Sequence, residues 1–176
     1  MAHRRTAFLA LLALLAAGVS AGAAESKNDA AAVLAKFKEK DPGFEKVFHE
    51  AHGYAVFPTV GKGAIGIGGA HGKGDVFERG VLIGTTSLTQ VTIGFQLGGQ
   101  AYSEVILFKD KTALDDFKRG NFELDAQASA VALTARASRD LAYNRGVAIV
   151  TMGKGGLMYE ASVGGQKFSF KPLESH

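Results

Sequence analysis

The segment YAVFPTVGKGAIGIGGAHGKGDVFERG (Tyr54–Gly80) decides the fold. Apolar residues recur at every second position, yet glycine occupies many of the positions between them. Period two means extended strand. Glycine at this density weakens a strand, so it marks places where the backbone bends or approaches something closely. The pattern returns as IGFQLGGQAYSEVILF (Ile93–Phe108) and again as GKGGLMYEASVGGQKFSF (Gly153–Phe170), and these stretches hold most of the chain's 23 glycines.

Within the segment, Tyr54–Phe57 reads as a strand closed by Pro58, and Gly61–Gly63 as a turn. Ala64–Ala70 comes next as a glycine-rich strand, His71–Gly74 as a second turn, and Val76–Gly84 as a strand with Phe77, Val81 and Ile83 on one face. Val91–Leu97 is a half-buried strand, Gly98-Gly99 a hairpin signal, and Ala101–Phe108 a more fully buried strand. Phe122, Leu124, Ala126, Ala128, Ala130 and Ala132 share one parity, so Asn121–Thr134 reads as a long strand with a small-residue face, with a helix as the alternative. Gly146–Met152, Gly156–Val163 and Lys167–Lys171 close the chain as strands, the last two joined at Gly164-Gly165.

Helical spacing is confined to three short places. Ser26–Lys40 carries Ala30, Val33, Leu34 and Phe37 on one stripe, and Asp41-Pro42-Gly43 stops it. Phe44–Ala51 ends at Gly53, and a helix beginning at Asp110 ends at Gly120. The expected class is α+β, mainly β: a curled antiparallel sheet of about nine strands, barrel or sandwich, with two or three short helices packed against it.

The first residues read as a leader. A basic MAHRR, an apolar Thr6–Val19 run and the small-residue site Ala21-Gly22-Ala23 make a secretory signal peptide over residues 1–23, with cleavage after Ala21 as the alternative. The run is too short for a membrane span, and no Cys follows it to accept a lipid anchor. Residues 24–53 then form a helical segment and 54–176 a glycine-rich β domain, together one unit. Removing the leader takes away Arg4 and Arg5 and no carboxylate, so the 20 basic and 17 acidic residues become nearly balanced. Bulk attraction to nucleic acid is therefore not expected. With no Cys, stability rests on packing and hydrogen bonds. Export implies a periplasmic or secreted protein.

The chain resembles the SYLF domain, the lipid-binding domain also found in yeast actin-patch proteins and their animal relatives. The resemblance rests on GYAVFPTVGKGAIGIGGAHGKG, SLTQVTIGFQLGGQAYSEVILF, FELDAQASAVAL and GKGGLMYEASVGGQKFSF in that order, with VLAKFKEKDPGFEKVFHEAHG as lead-in, over Ala30–Lys171. It implies binding to an anionic phospholipid surface or an acyl-bearing ligand. Actin, a partner of some family members, is not expected in an exported protein's compartment.

Candidate binding residues are those where charge stands beside glycine. Lys62, His71, Lys73, Arg79 and Lys154 sit on or near glycine-rich turns, where backbone N–H groups and lysines suit an anionic headgroup. The plainer role for such lysines is to keep strand edges unpaired. Lys36 and Lys38 lie on the first helix, which either rests on a membrane or packs on the sheet.

Three other patterns carry less. Gly61–Gly66 matches G-x-G-x-x-G, but the glycine-rich IGIGGAHGKG that continues the chain cannot open a helix. His49 and His52 are one residue short of the H-E-x-x-H spacing, so a metal would need a third ligand such as His71 or Asp75. No nucleophile elbow or Cys nucleophile is present, and Asp115-Asp116 point apart on a helix. Glu104 and Glu160 lie in strands whose burial the sequence does not reveal. The expectation is a non-enzymatic lipid-binding domain without cofactor or metal. The alternative is a cell-envelope structural module that docks an envelope protein partner.

Overall fold

The computed structural model describes residues 29–65, 67–93, 100–126, 128–154 and 163–174. The leader, the Gly98-Gly99 hairpin and the Gly156–Val163 strand thus lie wholly or almost wholly outside the described residues. Helix α1 covers 29–40, and α2 covers Gly43–Glu50. Then come β1 (Gly53–Ile65), β2 (Ile67–Glu78), β3 (Val81–Ile93), β4 (Gln100–Phe108) and α3 (Lys111–Lys118). The short strands β5 (Phe122–Glu123) and β6 (Val131–Ala132) precede β7 (Val147–Gly153) and β8 (Lys167–Pro172). These eight strands form one sheet in the order β5-β8-β3-β2-β1-β4-β7-β6, curled into a half barrel. The mainly-β, α+β class read from the sequence holds. All pairings are antiparallel except β6 with β7.

The glycines of the opening segment act inside strands. Gly61–Gly63 belongs to β1 and His71–Gly74 to β2; neither is a turn. The two strands pair from Gly53↔Glu78 to Ile65↔Ile67 across a bulge between Val56 and Thr59. Val76–Gly84 is not one strand either, because the chain reverses at Arg79-Gly80, both in the left-handed region (φ 48° and 80°). That is a two-residue hairpin of the kind that matches strand twist. Among the described residues of Asn121–Thr134 only the short β5 and β6 form strands, with a lone bridge at Ser129.

Alternation along the strands separates two cores. Ala55, Phe57, Val76, Leu88, Ile106, Phe108, Ile149 and Phe168 meet on one face with Leu114 and Phe117 of α3. Tyr54, Val56, Phe77, Val105, Leu107 and Val150 meet on the other with Phe37, Phe44 and Phe48 of α1 and α2. The first face is concave. Phe57 on β1 and Phe168 on β8 are three strands apart, about 14 Å on a flat sheet, yet their rings lie 5.7 Å apart. Glycine permits this bend: a Cβ on Gly74 would stand 2.4 Å from the Val56 carbonyl oxygen and 2.9 Å from the Phe57 ring.

Helix ends are fixed by two aspartates. Asp110 Oδ1 accepts from the Ala113 N–H at 3.0 Å and caps α3. Asp41 Oδ1 accepts from Gly43 N–H at 2.9 Å and its Oδ2 from Ser138 N–H at 2.7 Å, tying the 133–141 segment to the helices. Burial pushes the Asp41 carboxyl up, but the hydrogen bonds from Ser138 and Gly43 outweigh it, and the net direction is down.

A second carboxylate is wholly enclosed. Glu104 projects from β4 into the concave core beside Thr151 of β7. Gln166 Nε2 donates to Glu104 Oε2 and to the Tyr102 hydroxyl, both at 3.2 Å. Glu104 Oε1, Thr151 Oγ1 and Gln166 Oε1 have no partner among the described residues. Burial pushes the Glu104 carboxyl up from 4.5 to about 8, against a smaller downward pull from Gln166.

This packing sets two stability effects. Gly74→Ala is expected to destabilise the fold by about 1–3 kcal/mol in denaturant titration, because its Cβ has no space. In the native state Glu104 keeps a proton that the unfolded chain releases. Stability should therefore fall as pH rises from about 4.5 to about 8 and level off above, with a slope of at most about 1.4 kcal/mol per unit. Glu104→Gln should remove that component; an unaltered slope in the variant would assign the dependence elsewhere.

Candidate functional site

The face parity that builds the two cores also sorts the charged side chains. Phe77, Asp75, Lys73 and His71 alternate onto the convex face of β2. Residues directly opposite in the ladder share that face. Lys73 stands between Thr59 of β1 and Ser87 of β3, and Ser87 faces Ser169 of β8. One row along, His71 stands between Gly61 and Thr89, and Thr89 faces Lys167. One row back, Asp75 faces Thr85, which faces Lys171. Lys154, just beyond β7, donates from Nζ to Thr59 Oγ1.

These groups form one surface. Helices α1 and α2 cover the rows of Tyr54, Val56 and Phe77, leaving the rest of the convex face open. Thr59, Gly61, His71, Lys73, Thr85, Thr89, Lys154, Lys167, Ser169 and Lys171 are all exposed. Ser87 and Ser169 hydroxyls meet at 2.7 Å. Four lysines and an imidazole thus stand over a lattice of hydroxyls. Among the described residues two carboxylates share the face: Glu123, 3.5 Å from Lys167, and Asp75, which is buried. Val91, 76% exposed, projects at its margin.

Gly61 lies within this surface. A Cβ there would meet nothing within 4 Å, and its backbone is not left-handed. Neither a turn nor the packing requires glycine at this position, so its bareness is a property of the surface.

Of the sequence candidates, His71, Lys73 and Lys154 come together. Lys62 does not: paired with Ala70, it shares the parity of Val60 and turns to the concave side. Arg79 sits at the opposite end of β2, in the hairpin. On α1, Lys36 is exposed and Lys38 is bound to Glu45 at 2.8 Å. The sequence reading missed Lys167 and Lys171. Their signal was the K-F-S-F-K alternation, which puts both lysines on the face opposite Phe168 and Phe170.

The other candidates resolve in place. The G-x-G-x-x-G match runs along β1 to its end and no helix comes after it, so it does not cradle a dinucleotide. His52 Nε2 lies 3.0 Å from Glu78 Oε1. Among the described residues no three His, Asp or Glu side chains converge as a metal site. Among them, too, no helix is long and apolar enough to cross a membrane. Glu160 lies outside the described residues.

Residues 89–173 match the family model Ysc84, described as "Las17-binding protein actin regulator". Over 138 residues the chain is 30% identical to Beta cell expansion factor A of Aeromonas veronii. That alignment takes in 78% of this chain and 52% of the relative, so the chain spans about half the relative's length. The order of motifs, the curled sheet they build and the match over 89–173 agree in likening the chain to the SYLF (Ysc84) family.

Proposed function

We propose that this chain is exported and, freed of its leader, acts as a non-enzymatic module that binds anionic phospholipid surfaces through the open convex face of β1, β2, β3 and β8. One observation carries the reading: His71, Lys73, Lys154, Lys167 and Lys171 share one hydroxyl-lined face, interrupted at Gly61 by bare backbone. Ammonium groups supply charge to phosphate, hydroxyls add hydrogen bonds, and the uncovered backbone lets a headgroup approach. Each lysine near an anionic leaflet is worth about 1 kcal/mol. Val91 adds a single apolar contact at the margin. Likeness to the Ysc84 family supports a lipid-related role, and the basic, apolar, small-residue order of residues 1–23 supports export.

Flotation with phosphatidylcholine vesicles, with and without phosphatidylglycerol, tests this. Binding is expected only to the anionic vesicles, and it should weaken as salt rises from about 0.05 to about 0.5 M. The triple change Lys73→Gln, Lys154→Gln, Lys171→Gln should lower affinity on the order of 100-fold at low salt. Equal binding to both vesicle types would sink the reading and leave protein docking in the envelope as its replacement. Gly61→Leu should leave the melting temperature unchanged while weakening vesicle binding. A lowered melting temperature with intact binding would make that glycine structural after all.

A further inference from the structure

A second cationic locus lies at the other end of the sheet. Gly53 pairs with both Glu78 and Phe108, so three strand ends stand level. The His52 N–H donates to the Phe108 carbonyl at 2.9 Å, and the Arg79 N–H donates to the His52 carbonyl at 3.0 Å. Arg79 and Lys109 therefore flank His52, each one strand spacing away, about 5 Å. Both line the same cleft as Phe48 and His49 of α2, the helix packed on the convex side. Helix α2 stands over them on that side. Between it and the strand ends is a cleft of about 620 Å³ whose lining includes Phe48, His49, His52, Tyr54, Arg79 and Lys109.

The charges in this cleft are unevenly matched. Lys38 and Glu45 satisfy each other at 2.8 Å, Glu50 lies 3.7 Å from Lys46, and His52 is held by Glu78. Arg79, Lys109 and His49 have no carboxylate partner among the described residues. The left-handed hairpin sets where the Arg79 side chain leaves the backbone. A guanidinium fork and an ammonium two strands apart suit a doubly charged phosphate oxygen cluster better than a single carboxylate. The volume is many times that of an inorganic ion and falls within the range of small-molecule sites. Phe48 and Tyr54, with ring centroids 5.4 Å apart, give an apolar wall for whatever the phosphate carries.

We propose that this strand-end cleft binds a phosphomonoester, with Arg79 and Lys109 on the phosphate and the Phe48–Tyr54 wall against its organic part. The site is separate from the convex lysine face and does not depend on that face binding membranes. The same chemistry is offered by a soluble phosphate ester and by a lipid headgroup, and two probes distinguish them: glycerol 3-phosphate, and dihexanoyl phosphatidic acid kept below its micelle concentration.

Calorimetric titration of the full mature chain is the test. At least one probe should bind saturably with one-to-one stoichiometry, and glycerol should not bind. The double change Arg79→Asn, Lys109→Gln should weaken that binding about tenfold or more. Asparagine is chosen because it tolerates left-handed backbone, and an unchanged melting temperature confirms that the variant folds. Lys73→Gln with Lys154→Gln should leave probe affinity unaltered, and the cleft variant should still float with anionic vesicles. Binding of dihexanoyl phosphatidic acid alone supports the proposal with a lipid headgroup as ligand; binding of glycerol 3-phosphate supports it with a soluble ester. No saturation by either probe would overturn it. So would equal affinity in the folded cleft variant, or loss of affinity in the convex-face variant instead.

Discussion

The bend at Gly74 is the constraint on which the structure depends. The Phe57 ring lies against β2 where a side chain would otherwise stand, and the sheet closes over it until Phe168 arrives from β8. Phe168 in turn touches Phe117 of α3 and Phe122 of β5, at 5.5 and 6.0 Å between ring centroids. The aromatic chain thus locks helix, edge strand and sheet centre together. Each such ring contact is worth about 0.5–1.5 kcal/mol beyond its buried area. A flat sheet would leave these rings in water and would have no enclosed volume for Gln166 and Glu104.

That enclosure also fixes a polar cost. A carboxyl in an apolar interior with one hydrogen bond donor beside it is far from ideal, and holding its proton is the cheapest answer. The segment before β8 depends on this arrangement. Gln166 reaches down to Tyr102 and Glu104, and Gln90 Nε2 donates to the Gly164 carbonyl at 2.8 Å. The strand that carries Lys167 and Lys171 onto the convex face is thereby anchored from the concave side. This short segment couples the two faces.

Much of this was legible in the sequence, and the rest was hidden for physical reasons. The α3 helix was readable because Asp110, Leu114, Phe117 and Gly120 supply cap, stripe and stop in one short window. The β4 strand was readable because Tyr102–Phe108 is apolar enough to be buried on both faces. Glycine misled at Gly61–Gly63 and His71–Gly74, since the residue that punctuates turns also makes room inside a curled strand. The true reversal carries Arg79 at its first position, and arginine announces no left-handed backbone. Missing that hairpin put Arg79 with Lys62 and Lys73. Ladder register, which local sequence does not encode, decides that Lys62 faces inward and that Arg79 lies at the far end. The alanine alternation of 121–134 promised a long strand, but small side chains bury too little area to hold one, and among the described residues only the two-residue strands β5 and β6 form there.

The convex face and the strand-end cleft call on different physics. On the face, β2 and β8 fix the lysine attachment points at strand spacing, but the ammonium groups remain solvated and each contributes modestly. Such a surface gains by number and is tuned by salt, which suits a broad, mobile, anionic partner. In the cleft, few charges converge beside aromatic rings, and water is partly displaced by Phe48 and Tyr54. There geometry rather than total charge selects the ligand. One strand leads to both, because His71, Lys73 and Phe77 of β2 project to the convex side and Arg79, in the hairpin beyond it, lines the cleft. Helices α1 and α2, seated between those pairs, divide one basic face into a platform and a pocket.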